Sequence, residues 1–170
     1  MVVVREDRKE QIMEKAVGIF AELGYYKATT ALVAKAAGVT QPYVFHFFKN
    51  KEELFNAVID RAVARIYETF SEIEAPADQL LVTMGNAFMH IMQVHRAEIT
   101  MVMQAHAISE PVIREHVSEN FRVIYKSIVE KFQKAGIDDA EEAASQFMGM
   151  GLLITVSEAL DLPELLCFKK

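Results

Sequence analysis

Apolar residues recur three and four apart along this chain, and little interrupts them. Ile12, Ala16, Ile19, Phe20 and Leu23 form the first such stripe, the period of a helix with one face turned inward. Only seven glycines and four prolines punctuate 170 residues. Between them the sequence is rich in Ala, Leu, Met, Glu and Lys, which are good helix formers, and β-branched alternation is scarce. An all-α fold is the first expectation. Hydrophobic residues make up 52% and charged residues 25%, which excludes wholesale disorder, and the chain is long enough to bury a core without staples.

The punctuation places the helices. The first is expected over 6–23, ended by Gly24 where a C-terminal cap would sit. Thr30 is placed to cap a second, short helix over 31–37. Gly38 stops it, and Val39-Thr40 turns the chain into a third helix over 41–48, with Pro42 in the first turn, where a missing N–H costs nothing. Asn50 caps a fourth over 51–71, whose Glu52 and Glu53 suit the positive end of the helix dipole. Beyond Pro76 the spacing predicts helices over 77–95, 97–108, 110–135 and 138–160, with a break near Ser118 left open. The expected division is a first domain over 1–52 and a second over 53–170.

Charge is unevenly spread. The net charge is −6, yet residues 1–60 carry eight Lys/Arg against eight Asp/Glu, so the excess acid lies beyond them. Such a balance argues against a general nucleic-acid coat and for two regions with different partners. The single cysteine, Cys167, permits no intramolecular disulfide. Residues 1–5 are too few for the apolar part of a signal peptide. The longest uncharged stretches, 79–95 and 143–157, contain polar residues and fall short of the roughly 20 apolar residues of a membrane span. A cytoplasmic protein with no membrane partner is expected.

Two short helices joined by a tight turn at Gly38 are a helix-turn-helix arrangement. Ala34 and Ala37 let the helices approach, and Val33 and Val39 can plug the core. On the third helix Val44 and Phe48 are the inward anchors, and Phe45 and Phe55 are also read as core. The opposite side presents Pro42, Tyr43, His46 and Phe47. Exposed aromatics there need something to pack on, and a DNA major groove admits a helix and offers thymine methyls and base-edge acceptors. Packing against another helix is the competing use of Tyr43 and His46, and a solvated helix start is that of Lys51.

The run Ile12, Ala16, Phe20, Gly24-Tyr25, Thr29-Thr30, Val33-Ala34, Ala37-Gly38-Val39, Phe45, Phe48, Lys51, Leu54-Phe55 resembles the DNA-binding domain of tetracycline-repressor-like (TetR family) regulators over about residues 8–58. Past Pro76 the likeness is architectural only. The resemblance implies an N-terminal helix-turn-helix DNA-binding domain with a C-terminal helical ligand-binding and dimerisation domain. It also implies a two-fold homodimer on a palindromic double-stranded DNA operator, released by a small, largely apolar effector, and no enzymatic activity or cofactor. Carried over by position, Thr40, Gln41, Pro42, Tyr43, His46 and Phe47 face the operator, and Thr30 and Lys51 contact phosphate. The chain departs from the family at Phe45, commonly tyrosine there, and at Phe47, commonly histidine or tyrosine. Both changes remove a group able to bond a phosphate, which shifts weight to Lys51, Thr30, Tyr43 and Lys49. The mixed charges over 5–10 read as a solvated helix start, with Arg5, Arg8 and Lys9 as further candidates for phosphate.

Met84, Phe88, Met92, His95, Met103, Phe121, Tyr125 and Met148 are the candidate effector pocket, because methionine adapts to irregular guests. An ordinary helical core is the alternative for the same residues. His95 is the preferred polar group in that pocket, ahead of His90, His106, Asn86, Gln93 and Gln104. The uncharged face of the last helix, with Ala144, Phe147, Gly151, Leu152 and Thr155, is the candidate subunit interface, and intrachain packing is its alternative. His95 with Glu98, and Glu115 with His116, are too few ligands for a metal site. No nucleophile elbow, phosphate-cradling glycine loop or cysteine–histidine signature occurs to support an enzyme. A helical carrier of apolar molecules that has lost DNA binding is the remaining alternative.

Overall fold

The computed structural model describes the backbone of residues 2–166 and side chains from residue 7 onward, so Cys167 and the Arg5 side chain lie outside the described residues. Eight α-helices and no strand occur among them: α1 Val2–Lys27, α2 Thr30–Ala36, α3 Gln41–Phe45, α4 Lys51–Glu72, α5 Ala77–Val94, α6 Arg96–Gln104, α7 Pro111–Lys134 and α8 Ala140–Leu160. Two 3-10 turns, Ala105–Ala107 and Pro163–Leu166, complete the path. The fold is all-α, as the helical spacing predicts.

Several boundaries differ from the sequence reading, each for a local reason. Gly24 breaks the path of α1 at φ 70° and ψ 168°, a conformation that suits glycine alone, but one further turn follows. Thr29, not Thr30, caps α2, its Oγ1 accepting from the Leu32 N–H at 3.2 Å. The third helix ends at Phe45 rather than at residue 48: the Phe47 N–H turns back to Val44 O, three residues away, at 3.0 Å, a tightened last turn after which the chain opens for the next cap. There the Glu53 N–H donates to Asn50 Oδ1 at 2.7 Å, and the Lys49 N–H donates to Glu53 Oε2 at 3.0 Å, a reciprocal cap of the kind that fixes a helix start. Helix α7 runs through Ser118 without a break. Helix α8 begins at Ala140 because Asp139 holds a left-handed conformation at φ 49°.

The core is continuous from end to end. Around α1 to α4 it contains Ile12, Phe20, Val33, Val44, Phe48, Leu54 and Phe55, all nearly inaccessible. Phe20 and Tyr25 both meet the Phe55 ring edge-on, at 4.9 and 5.0 Å, a favoured aromatic geometry. Phe45 corrects the expectation of a core residue. One position past buried Val44 on a helix, it is turned about 100° away and is 44% exposed. Val39 is half-buried rather than fully enclosed.

Helix α4 is the axis of the molecule. It starts directly after the helix-turn-helix and packs on α1, α5, α6 and α7. Helix α8 is long and apolar enough to cross a membrane by length and composition, contrary to the expectation for that stretch. It packs on α5, α6 and α7 and leaves Gly149, Met150, Val156 and Leu160 exposed.

Candidate nucleic-acid interface and effector cavity

Helix α3 stands out from the molecule on a frame that is itself locked. Gln41 Nε2 donates to Thr30 Oγ1 at 2.8 Å, tying the first residue of α3 to the first of α2. Gly38 makes the turn between them at φ 67°, where any other side chain would be strained. Val44 and Phe48 bolt the inner face to the core. The outer face is left to Thr40, Pro42, Tyr43, Phe45 and His46, all exposed, with Phe47 half-buried behind them. The Tyr43 ring stacks on the His46 ring at 6.3 Å, and both meet Phe47 edge-on at 5.4 and 5.3 Å. A rigid aromatic tip with a phenol and an imidazole at its surface can fill a groove and bond base edges.

Two candidate phosphate contacts have internal partners. Thr30 is buried and its hydroxyl receives Gln41. The Lys51 ammonium donates to the Tyr25 carbonyl at 3.0 Å and lies 4.2 Å from the centroid of the Tyr25 ring, a cation–π distance. It is thereby held at the N-terminus of α4, itself a place that favours anions. Tyr25 Oη donates to Glu52 Oε1 at 3.2 Å. Burial, then the Glu52 charge, push the Tyr25 phenol well above its ordinary value. Lys9 Nζ lies 5.7 Å from the Phe48 ring centroid, and Arg8 Nη1 donates to Gln11 at 2.8 Å.

A buried ion cluster joins this head to the body. Glu98 on α6 is 4% exposed. It accepts from Arg61 Nε at 2.8 Å and lies 3.1 Å from Arg65 Nε, both on α4. Arg61 also reaches Glu10 at 3.1 Å and Glu14 at 3.4 Å on α1. Burial works to lower the Arg61 pKa, but hydrogen bonds to Glu98 and Glu10 outweigh it and the net shift is upward. Tyr26 Oη sits 2.8 Å from Ser109 Oγ, and His116 Nε2 2.6 Å from Asp60 Oδ1, two further ties across the same joint.

Two cavities of the body bear on the candidate pocket. One of about 70 Å³ is lined by apolar residues including Ile66, Phe70, Phe88, Met103, Phe121 and Met148. The other, about 420 Å³, opens to solvent between the end of α4, the start of α5 and the end of α7, past Tyr67, Ser71, Glu74, Met84, Lys131 and Lys134. Of the eight candidate pocket residues, Phe88, Met103, Phe121 and Met148 line the smaller cavity and Met84 the larger. Met92 is buried elsewhere in the core. Tyr125 is engaged with the Glu141 carbonyl at 3.4 Å. His95 ends α5 beside Arg65 and Glu98, away from either cavity. Sequence reading did not find Phe70, Lys131 and Lys134. They come from different helices, and no spacing along the chain brings them together.

The interface candidates separate too. Ala144 and Thr155 are enclosed within the subunit, Thr155 Oγ1 bonding the Gly151 carbonyl at 2.8 Å. Phe147 packs on Phe70 and Phe132. Gly151 lies 3.7 Å from the Phe88 ring, measured from where a Cβ would stand. Leu152 is half-buried. No group of three or more metal-ligating side chains occurs among the described residues.

A helix-turn-helix head presenting an exposed aromatic helix, carried on a helical body with an apolar cavity, is an arrangement able to set one helix in a DNA groove. Residues 12–58 match the family described as bacterial regulatory proteins, tetR family. The HTH-type transcriptional repressor AcnR of Corynebacterium diphtheriae is 30% identical over 130 residues, covering 75% of this chain and 64% of that protein. The chain therefore spans slightly less than two thirds of that relative. The FadR regulator of Bacillus subtilis, solved in complex with stearoyl-CoA, superposes with a TM-score of 0.70 at 22% identity, over 89% of this chain and 88% of that one. AibR, solved with isovaleryl coenzyme A and operator DNA, gives a TM-score of 0.69 at 22% identity, over 87% and 85%. Residues 12–58 thus resemble the tetR family of bacterial regulatory proteins, and the rest of the chain shares the fold of these solved regulators.

Proposed function

We propose that the chain is a repressor that binds a palindromic operator as a homodimer and is released by a small, largely apolar effector carrying an acyl chain. The exposed, rigid tip of Tyr43 and His46 on an otherwise locked helix-turn-helix is the observation that carries the reading. Tyr43, His46, Gln41, Pro42, Thr40 and Phe47 face the groove, Lys51 seats the head on the backbone, and Thr30, buried and bonded to Gln41, holds the reading helix in place. One short helix reads few base pairs, so two copies at half-sites about 34–36 Å apart, or a multiple, are needed.

The outward side of α8, with Gly149, Met150, Val156 and Leu160, supplies an apolar surface for pairing. The boundary at 52/53 falls in the first turn of α4, so one rigid helix belongs to both the reader and the sensor. An acyl effector is supported by the apolar cavity and by the acyl-CoA complexes of FadR and AibR. Release then works by population shift: a ligand that prefers one separation of the reading heads displaces DNA by the difference in its affinity for the two states.

Selection of binders from a random duplex library, followed by titration with acyl-CoA of several chain lengths, tests this. The expected result is one enriched sequence with two-fold symmetry, released by at least one acyl-CoA. Enrichment of no sequence at low salt, where phosphate attraction is strongest, contradicts the DNA-binding reading. A stable operator complex that no acyl compound disturbs contradicts the effector.

A further inference from the structure

The two cavities share a wall. Phe70 and Ile128 line both, so these side chains stand between the apolar chamber and the wider one, which carries charged groups as well. Phe70 belongs to the last turn of α4 and holds its place by ring contacts with Phe147 at 5.6 Å and Phe88 at 6.5 Å. The wider chamber is bordered by Lys131, whose ammonium donates to the carbonyls of Ile73 at 2.5 Å and Ser71 at 3.3 Å. Those carbonyls terminate α4, where the helix dipole is negative and a cation is favoured. Neither Lys131 nor Lys134 forms an ion pair among the described residues.

Resting on the acyl-effector reading above, we propose that the wider chamber is an anion subsite, and that the effector's charged head takes Lys131 away from the end of α4. A carboxylate or phosphate offers an ammonium a charge-assisted bond, about twice as strong as one to a neutral carbonyl. The acyl chain passes between Phe70 and Ile128 into the apolar chamber, whose Met103, Met148 and Met150 can reshape around it. Head and chain thus act on the same turn: one removes the cap at Ile73, the other moves the ring at Phe70. Helix α4 begins one residue after the cap that follows the reading helix, so what loosens its far end is felt at the head. Glu74 and Glu130 border the same mouth. They would hold a cationic head instead, and the experiment sets the two against each other.

Calorimetric titration of the full chain with decanoate, decanoyl-CoA, decanol and decyltrimethylammonium tests the subsite. Decanoate or decanoyl-CoA should bind at least about tenfold more tightly than decanol and the cation, and the tighter of the two names the source. Lys131→Met keeps the aliphatic stem and should reduce anion affinity to the decanol level while leaving decanol unchanged. Lys134→Met, at a side chain with no internal partner to lose, should lower anion affinity about threefold or more and covers the case of a poorly folding Lys131→Met. Amide exchange in the last turn of α4 should quicken with decanoate in the wild type and be quick from the start in Lys131→Met. Decanol binding as well as decanoate, or unchanged anion affinity in both variants, overturns the subsite alone. Tighter binding of the cation overturns it in favour of Glu74 and Glu130. Binding of none of the four removes the acyl-effector reading with it.

Discussion

Arg61 Nε donates to Glu98 Oε1 at 2.8 Å across the joint between α4 and α6. The carboxylate is almost wholly enclosed and answers to two arginines. Removing one partner of a buried pair leaves uncompensated charge and costs about 3–5 kcal/mol, whereas an apolar replacement of the whole cluster can be neutral. Glu98→Ala should therefore lower unfolding free energy by about 3 kcal/mol in denaturant titration. A loss under about 1 kcal/mol, the worth of a surface pair, would show the joint to be held by packing alone.

Lys51→Met separates two uses of one ammonium. Loss of the bond to the Tyr25 carbonyl should cost about 1 kcal/mol of stability. If the same group also meets a phosphate, the slope of log affinity against log salt should flatten by about one unit on every duplex. An unchanged slope with reduced stability assigns Lys51 to the frame only.

Phe45 is exposed beside the reading face, and its ring has no hydroxyl to offer a phosphate. Phe45→Tyr should leave the melting temperature unaltered and tighten binding to specific and random duplex alike, by about 1 kcal/mol or less for one added hydrogen bond. Tightening on the selected operator only would instead make position 45 a base reader.

Gly149 lies on the outward side of α8 with no heavy atom within 4 Å of where its Cβ would stand. Gly149→Ala should stabilise the subunit by about 1 kcal/mol through helix propensity. Gly149→Leu should raise the dimer dissociation constant in sedimentation equilibrium by about tenfold or more, since a bulky side chain blocks a close helix pairing. Equal dimer constants for all three proteins would move the pairing surface off this part of α8.

The helix-turn-helix was legible because its determinants are local. Gly38 at the turn, Asn50 at the cap and Val44 with Phe48 on one helical face follow from spacing within 20 residues. Misplacements were local as well: Thr30 and Thr29 are equally good caps by type, and only the path of the chain chooses Thr29. Phe45 shares the i, i+3, i+4, i+7 spacing of Gln41, Val44 and Phe48, which points it to the core, yet the helix is only five residues long and turns it to solvent. The body was legible only in outline. Its methionines and aromatics mark an apolar interior, but the cavity walls join α4 to α5, α7 and α8. The bond from Lys131 to Ile73 spans 58 residues, and no periodicity encodes it. His95 has the right helical phase for the pocket, yet the end of α5 turns it to the ion cluster instead.

The reading tip is tested most directly by the affinity of Tyr43→Ala, relative to wild type, on the selected operator and on a scrambled duplex of equal length at one salt concentration. A base contact predicts a loss of about 1–3 kcal/mol on the operator and almost none on the scrambled duplex. Equal losses on both, or none on either, would contradict a groove-reading role for the Tyr43–His46 surface.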